Sequence, residues 1–160
     1  MSERRSAARQ RGLAVTELAL VTPVLLVTML IAAEFTRVFY EYNTLTKSVR
    51  DAARFLAEDA YDGAGVYEID STTIERATNL AVTGELVGGT PLLDGLSATD
   101  IEIDTNGAHK GAAPLVREHV QVTGSYEFQP LAPVIAGIGF LPADVGMNFT
   151  LVASSTMRAL

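Results

Sequence analysis

Glu17 is the residue of this chain whose position most needs a chemical explanation, because it lies near the start of a long apolar run. A charged carboxylate at the centre of a bilayer costs about 2.5 to 3.5 kcal/mol on insertion scales. A cationic group on a neighbouring chain can offset that cost by pairing with the carboxylate. Glu17 therefore indicates either an assembly contact within a membrane or a side chain that reaches back to the interface.

A second group of acidic residues resembles a calcium loop only superficially. Asp100, Glu102 and Asp104 precede the turn signal Asn106-Gly107. Counted from Glu102, however, the twelfth residue is Ala113, where an EF-hand requires a bidentate glutamate. We therefore interpret the acidic residues as the outward positions of a strand.

The amino-acid composition excludes several kinds of chemical site. The chain has no cysteine, which excludes disulfides and thiolate metal sites, and its two histidines, His109 and His119, have no zinc-ligand pattern beside them. We also find no nucleophile elbow, P-loop or paired catalytic motif. The sequence thus predicts that the chain binds no metal and no cofactor and is not an enzyme. A formal net charge of −7 argues against nucleic acid as a direct partner.

One transmembrane helix is predicted between residues 13 and 33. This run is 21 residues long and carries no charge besides Glu17, and about 20 residues suffice to cross the hydrocarbon core. The positive-inside rule places the preceding basic segment in the cytoplasm and the rest of the chain across the membrane. The basic residues of that segment are Arg4, Arg5, Arg9 and Arg11.

A secretory signal peptide is the alternative interpretation of the same residues. The arginines would form its basic n-region, and Ile31-Ala32-Ala33 would form a weak cleavage site. Against this, the apolar run is longer than an h-region and contains Glu17. Its helical pattern also continues without a break beyond residue 33, which favours a membrane anchor.

Beyond the membrane run, apolar residues at 3-4-3-4 spacing form a narrow seam on one helix face. We predict one helix from about Leu13 to Ala57, about 65 to 70 Å long at about 1.5 Å per residue, with a kink or loosening at Pro23. The seam is expected to pack on the chain's own C-terminal domain rather than in a dimeric coiled coil. Its residues are Phe35, Val38, Tyr42, Leu45, Val49, Ala52 and Leu56.

Short motifs follow one another along this helix in a distinctive order. They are Arg-x-Arg-Gly12, Leu13-Ala14-Val15-Thr16-Glu17, Pro23, Glu34-Phe35-x-Arg37 and Ser48-x-Arg50-Asp51-Ala52-Ala53-Arg54. Together they resemble the N-terminal region of TadE-like minor pseudopilins from tight-adherence pili. Type IV pilins and their relatives share this plan: a basic leader, a small residue at the cut, a glutamate five residues on and a helical spine.

The resemblance implies that a prepilin peptidase cleaves between Gly12 and Leu13, so that Glu17 becomes the fifth mature residue. The new α-amino group of Leu13 could then pair with Glu17 of a neighbouring subunit. Removing the four arginines and Glu3 would leave 8 basic and 18 acidic residues. The implied domains are a leader (1–12), a transmembrane and extracytoplasmic spine (13–57) and an extracytoplasmic domain (58–160), with the protein in the inner membrane or, after processing, in the pilus.

The predicted fold class is α+β, with the helical spine packed against a small antiparallel sheet, as in a pilin. A capping box, Thr72-Thr73-Ile74-Glu75, predicts a second helix from Thr72 to about Gly84. Alternating residues predict strands at 100–104, 119–129 and 147–158. The apolar positions of the second helix are Ile74, Ala77, Leu80 and Ala81.

The two longer strands each present one apolar face to the spine. The residues of these faces are Val120, Val122, Gly124, Tyr126 and Phe128 in the first, and Met147, Phe149, Leu151, Ala153 and Met157 in the second. Between the strands, Leu131 to Leu141 is uncharged but too short to span a bilayer. It either covers the end of the sheet or forms a patch that meets another pilus subunit or the membrane surface.

These features predict a structural role. By resemblance, the chain is a minor pseudopilin that helps to initiate, cap or regulate a tight-adherence pilus. Its implied partners are a major pilin, a TadF-like pseudopilin, the prepilin peptidase and an inner-membrane assembly platform powered by a cytoplasmic ATPase. The alternative from another class is a membrane-anchored or secreted module that senses an extracytoplasmic ligand. A third possibility is an assembly factor with the same fold that is never cleaved.

Overall fold

The computed structural model describes residues 2–60, 69–105, 119–130 and 149–159, and their side chains from residue 15 onward. The described elements are α1 (Ser2–Glu58), α2 (Ser71–Thr83), β1 (Ile101–Asp104), β2 (His119–Phe128) and β3 (Phe149–Arg158). Residue contacts divide the chain into two compact units. The first holds α1 as far as Arg37, and the second holds α1 from Val38 onward together with α2 and the strands.

The helix α1 is continuous over 57 residues and begins earlier than the sequence predicted. Its start was expected near Leu13, but the basic leader is helical as well, because four arginines, two alanines and one glutamine, which favour a helix, make up most of residues 2–12. Gly12 opposes the helix by only about 1 kcal/mol relative to alanine. Helical structure also continues through Pro23, which has no N–H to donate to the carbonyl of Ala19.

The helix α2 has a different N-cap from the predicted one. Asp70, not Thr72, caps the helix: its Oδ1 accepts the backbone N–H of Thr73 at 2.7 Å, and its Oδ2 accepts the hydroxyl of Thr72 at 2.8 Å. The capping-box prediction was therefore wrong. The helix begins before Thr72, and the Asp70 carboxylate accepts the unpaired N–H of Thr73 in its first turn. Hydrogen bonds, first from Thr73 and then from Thr72, lower the pKa of the Asp70 carboxyl below its ordinary value.

The C-terminal end of α2 agrees with the prediction. Gly84 caps the helix in the left-handed conformation (φ 78°), and its N–H donates to the carbonyl of Leu80 at 3.0 Å. Of the predicted apolar face, Ala77 and Ala81 are buried, while Ile74 and Leu80 are half-buried. Thr73 is buried as well, and its hydroxyl donates to Asp59 at 3.0 Å, which ties the start of α2 to the end of α1.

The three strands form an antiparallel sheet in the order β1-β2-β3, which confirms the predicted α+β class. β2 and β3 pair over their full length, with His119 opposite Arg158 and Phe128 opposite Phe149. β1 pairs only with residues 121–124 of β2. The predicted turn at residues 106–107 and the segment from 131 to 141 lie outside the described residues.

Asp100 has a different role from the predicted one. It belongs to a short 3-10 turn before β1, where its carboxylate accepts the backbone N–H of Ser97 at 2.8 Å and the Ser97 hydroxyl at 2.7 Å. β1 therefore begins one residue later than predicted, at Ile101. Because Asp100 serves as an acceptor for this turn, it is not an outward-facing strand residue.

The core of the second unit forms where α1 and α2 meet one face of the sheet. In β2 the predicted alternation holds, since Val120, Val122, Gly124, Tyr126 and Phe128 are buried. In β3 it holds only in part: Leu151 and Ala153 are buried and Met157 is half-buried, but Phe149 is 43% exposed, and Met147 lies outside the described residues. The hydroxyl of Tyr126 donates to the carbonyl of Asp94 at 3.1 Å, which holds the loop after α2 on the sheet. The buried helix residues are Leu45, Val49, Ala52, Ala53, Leu56, Ala57, Ala77 and Ala81.

The predicted seam of α1 packs only in part. Phe35 and Tyr42 were expected to pack on the domain, and both are exposed. Glu41 and Ser48 are buried in their place. Tyr42 lies only about 20° from the buried Val49 around a helix with 3.6 residues per turn, so the period does not explain its exposure. The later seam residues Leu45, Val49, Ala52 and Leu56 lie in the core.

Gly124→Ala should lower the free energy of unfolding of the second unit by about 1 to 3 kcal/mol through overpacking. A Cβ at this position would lie 2.9 Å from Cγ2 of Val49 and 3.0 Å from Cδ1 of Leu45, because α1 crosses the sheet closely there. Ser125→Ala, at the exposed neighbouring position, is the matched control. Urea unfolding of the full chain in detergent, followed by near-ultraviolet circular dichroism, measures the difference. Equal midpoints for the two variants would contradict the close approach.

Candidate membrane and assembly surface

The apolar run of α1 exposes large side chains on every side of the helix. In the isolated chain these side chains are between 39% and 78% exposed, and they are Val15, Leu18, Leu20, Val21, Val24, Leu25, Leu26, Met29 and Leu30. Residues at such spacings point in all directions around a helix with 3.6 residues per turn. A helix that is apolar all round has no polar face for water and needs an apolar environment.

Length and composition allow this helix to cross a membrane. Among the described residues, the segment Val15–Glu58 contains a window of 18 residues with a mean hydropathy of 2.2, of which 6% is buried. The core helix of a soluble protein would bury most of such a window, so the low burial favours a membrane span. A signal sequence meets the same criteria of length and composition.

Threonine hydroxyls in and just beyond the apolar run are satisfied by the helix itself. Thr22 donates to the carbonyl of Leu18 at 2.7 Å, and Thr28 donates to that of Val24 at 2.8 Å. Thr36 makes the same bond one turn back, at 2.9 Å. Because hydrocarbon offers no hydrogen bonds, polar groups in a span must find partners within protein, and these hydroxyls meet that condition.

Glu17 is the only charged residue within this apolar surface, and its side chain is exposed in the isolated chain. Because α1 is helical from Ser2, residues 13 and 17 lie one turn apart on the same face, about 5 to 6 Å from each other. Gly12 and the leader arginines are placed on the helix by the backbone, while their side chains lie outside the described residues. A neighbouring helix shifted by about one turn could bring its residue 13 to the level of this carboxylate in a membrane.

The predicted absence of a metal site rests on the sequence, and the structure adds one observation. Where the structure describes the chain, no group of three or more histidine, aspartate or glutamate side chains is placed to hold a metal ion. Asp100 is engaged by Ser97. His109 lies outside the described residues, and His119 begins β2 at an exposed position.

Sequence reasoning missed the arrangement of residues 34 to 42. Phe39 and Tyr40 are exposed, whereas Glu41 is buried. The 3.6-residue period places Glu41 close to the core residue Leu45, but it places Tyr42 at least as close to Val49, so the period alone does not distinguish the two. The heptad interpretation assigned Tyr42 to the buried face instead.

Comparison with known proteins finds a family similarity in the N-terminal part of the chain. Residues 12–54 match the family model of the TadE-like protein. The match covers the exposed apolar run, Glu17 and the beginning of the buried helix face, and it confirms the resemblance over this segment. TadE-like proteins are structural components of tight-adherence pilus systems. No curated protein and no solved structure matches the chain.

Arginine at both Leu25 and Leu26 should release the chain from membranes, since each arginine near the centre of a span costs about 2.5 to 3.5 kcal/mol. Both leucine side chains are mostly exposed in the isolated chain, so the change removes little packing. Arginine at Leu86 and Val87, an exposed pair outside the apolar run, is the matched control. Alkaline extraction of cell membranes measures the retained fraction. Equal retention of both double variants would contradict a membrane span.

Proposed function

We propose, from the TadE-like match of residues 12–54, that this chain is a minor pseudopilin that takes part in assembling, priming or capping a tight-adherence pilus. The observation that carries the proposal is the apolar, outward-facing helix with Glu17 near its start, inside the matched segment. Such a helix suits a subunit that is held in a membrane and then packs against other helices. The proposed role is structural and involves no catalysis.

The proposed topology follows from the charges around the helix. The leader carries four arginines, and the positive-inside rule places it in the cytoplasm, with residues from about Glu34 onward outside the inner membrane. A prepilin peptidase would then meet the bond between Gly12 and Leu13 on the cytoplasmic face. Cleavage removes the arginines that anchor the helix at that interface, so the processed chain can leave the membrane more readily.

Glu17 has a proposed role in subunit assembly. Cleavage creates an α-amino group on Leu13, and an amine of one subunit can pair with the carboxylate of the next. Each group alone is costly in lipid, and the pair offsets part of that cost. Assembly would therefore be favoured over an isolated subunit, because a neighbour shifted by about one helical turn brings its amine to the depth of this carboxylate.

The proposed partners are other pilins and pseudopilins, with the inner-membrane assembly platform. Residues 13–160 retain 8 basic and 18 acidic residues after loss of the leader, so the extracytoplasmic part would present mainly negative charge. This charge favours protein partners with basic surfaces and disfavours nucleic acid. The family match supports partners among pilus-related proteins, and the specific partners proposed here are a major pilin and a TadF-like pseudopilin.

Glu17→Ala should leave insertion and cleavage intact but reduce incorporation into pili. Removing one member of a buried ion pair costs about 3 to 5 kcal/mol, which corresponds to a loss of about a hundredfold or more in the assembly equilibrium. Leu18→Ala, at the adjacent exposed position, is the matched control. The measurement is the number of pili per cell and the amount of each variant in membranes, in cells whose only copy of this chain is the variant.

Glu17→Gln separates charge from size. An amide of nearly the same volume cannot form the ion pair, so we expect it to fail as the alanine variant does. Normal piliation in cells that carry Glu17→Ala would remove the assembly role. Loss of the variant from membranes would instead assign Glu17 a role in insertion.

A further inference from the structure

Aromatic residues are concentrated immediately after the apolar run. Residues 1–34 contain none, and the next eight positions contain Phe35, Phe39, Tyr40 and Tyr42. All four side chains face outward from α1 in the isolated chain and are 61%, 64%, 67% and 42% exposed, respectively. Large rings are therefore directed away from the protein over two turns of the helix.

The charged residues of the same turns have the opposite arrangement. Glu34 and Arg37 are half-buried, and Glu41 is only 7% exposed. On a helix in water, charged side chains face the solvent and aromatic side chains face the core. The reversed pattern between residues 34 and 42 fits surroundings that are less polar than water.

The distribution of the rings around the helix favours lipid over a partner helix. Phe35, Phe39 and Tyr42 lie on one side, but Tyr40 is rotated by about 140° from Phe35 on a helix with 3.6 residues per turn. A partner helix would cover one narrow stripe. Lipid can cover all of the helix surface that the protein leaves open in these turns, and it therefore accommodates rings at both positions.

We propose that Phe35, Phe39, Tyr40 and Tyr42 form an aromatic belt that lies among the lipid headgroups at the outer surface of the membrane. The belt continues directly from the apolar run, which ends at Ala33. The first three rings lie about 3 to 10 Å beyond residue 33 along the axis, at about 1.5 Å per residue. Aromatic side chains concentrate in this layer, where a tyrosine keeps its hydroxyl in water and its ring in lipid.

The belt would set the depth of the helix from its outer end, as the leader arginines do from the cytoplasmic end. Loss of the arginines on cleavage would then leave the aromatic belt as the remaining interfacial anchor. This inference rests on the proposed membrane span, but it does not depend on cleavage or on pilus assembly.

The chain has no tryptophan, so single substitutions give fluorescence probes without background. Phe39→Trp and Tyr40→Trp test the two sides of the belt in the full chain reconstituted in phosphatidylcholine vesicles. Leu25→Trp is the reference within the apolar run, and Val87→Trp, at a side chain that is 79% exposed, is the reference for water. Quenching is measured with aqueous iodide and with lipids that carry a nitroxide close to the headgroup or deep in the acyl chain.

We expect both belt variants to emit at shorter wavelength than Val87→Trp and to be quenched several-fold less by iodide. The nitroxide close to the headgroup should quench them more than the deep nitroxide, with the reverse order for Leu25→Trp. Iodide quenching equal to that of Val87→Trp would overturn the belt. Protection of Phe39→Trp from both iodide and nitroxides would also overturn it, because protein would then cover the ring. If lipid nitroxides fail to quench Leu25→Trp, the span itself is wrong, which is a separate failure.

Discussion

The structure depends on one helix that has to satisfy two environments along its length. Around residues 15–33, α1 is apolar in every direction and buries almost nothing within the protein, so its stability in a cell requires an apolar surrounding. From Val38 onward the same helix buries one face against the sheet, with Leu45 and Val49 close to the backbone of Gly124. The change from all-round to one-sided apolarity divides the helix into the two parts that the residue contacts also separate.

The proposed function follows from the free-energy cost of a charged side chain in the apolar part of α1. A carboxylate within the apolar part is unfavourable in lipid, and in the proposed function a neighbouring subunit supplies the opposite charge to Glu17 after processing. The match of residues 12–54 to the TadE-like protein is what connects this proposal to tight-adherence pili. In the part of the chain that the structure describes, helix and sheet of the small α+β part bury a continuous cluster of apolar residues.

The sequence predicted the fold where periodicity and turn chemistry agree, and it failed where they compete. Alternation identified β2 and β3, and Gly84 marked the end of α2, because a left-handed residue there is strongly constrained. The N-cap was misplaced because the helix begins two residues before the predicted cap, where the Asp70 carboxylate accepts the N–H of Thr73. The seam failed at Phe35 and Tyr42, since hydrophobicity alone does not show which turns of a helix pack on the protein. The position of Glu17 could be interpreted from its cost in lipid, but its proposed partner belongs to another subunit and cannot be derived from one sequence.

The central claim, that this chain is a processed pseudopilin, is tested most directly by its N-terminal residue and intact mass. Both are measured on protein recovered from membranes of cells with and without prepilin peptidase. The account predicts a chain that begins at Leu13 only when the peptidase is present. A start at Met1 or Ser2 in both strains would contradict it and favour a permanently anchored assembly factor or sensor. A start near Glu34 would show that the apolar run is a secretory signal.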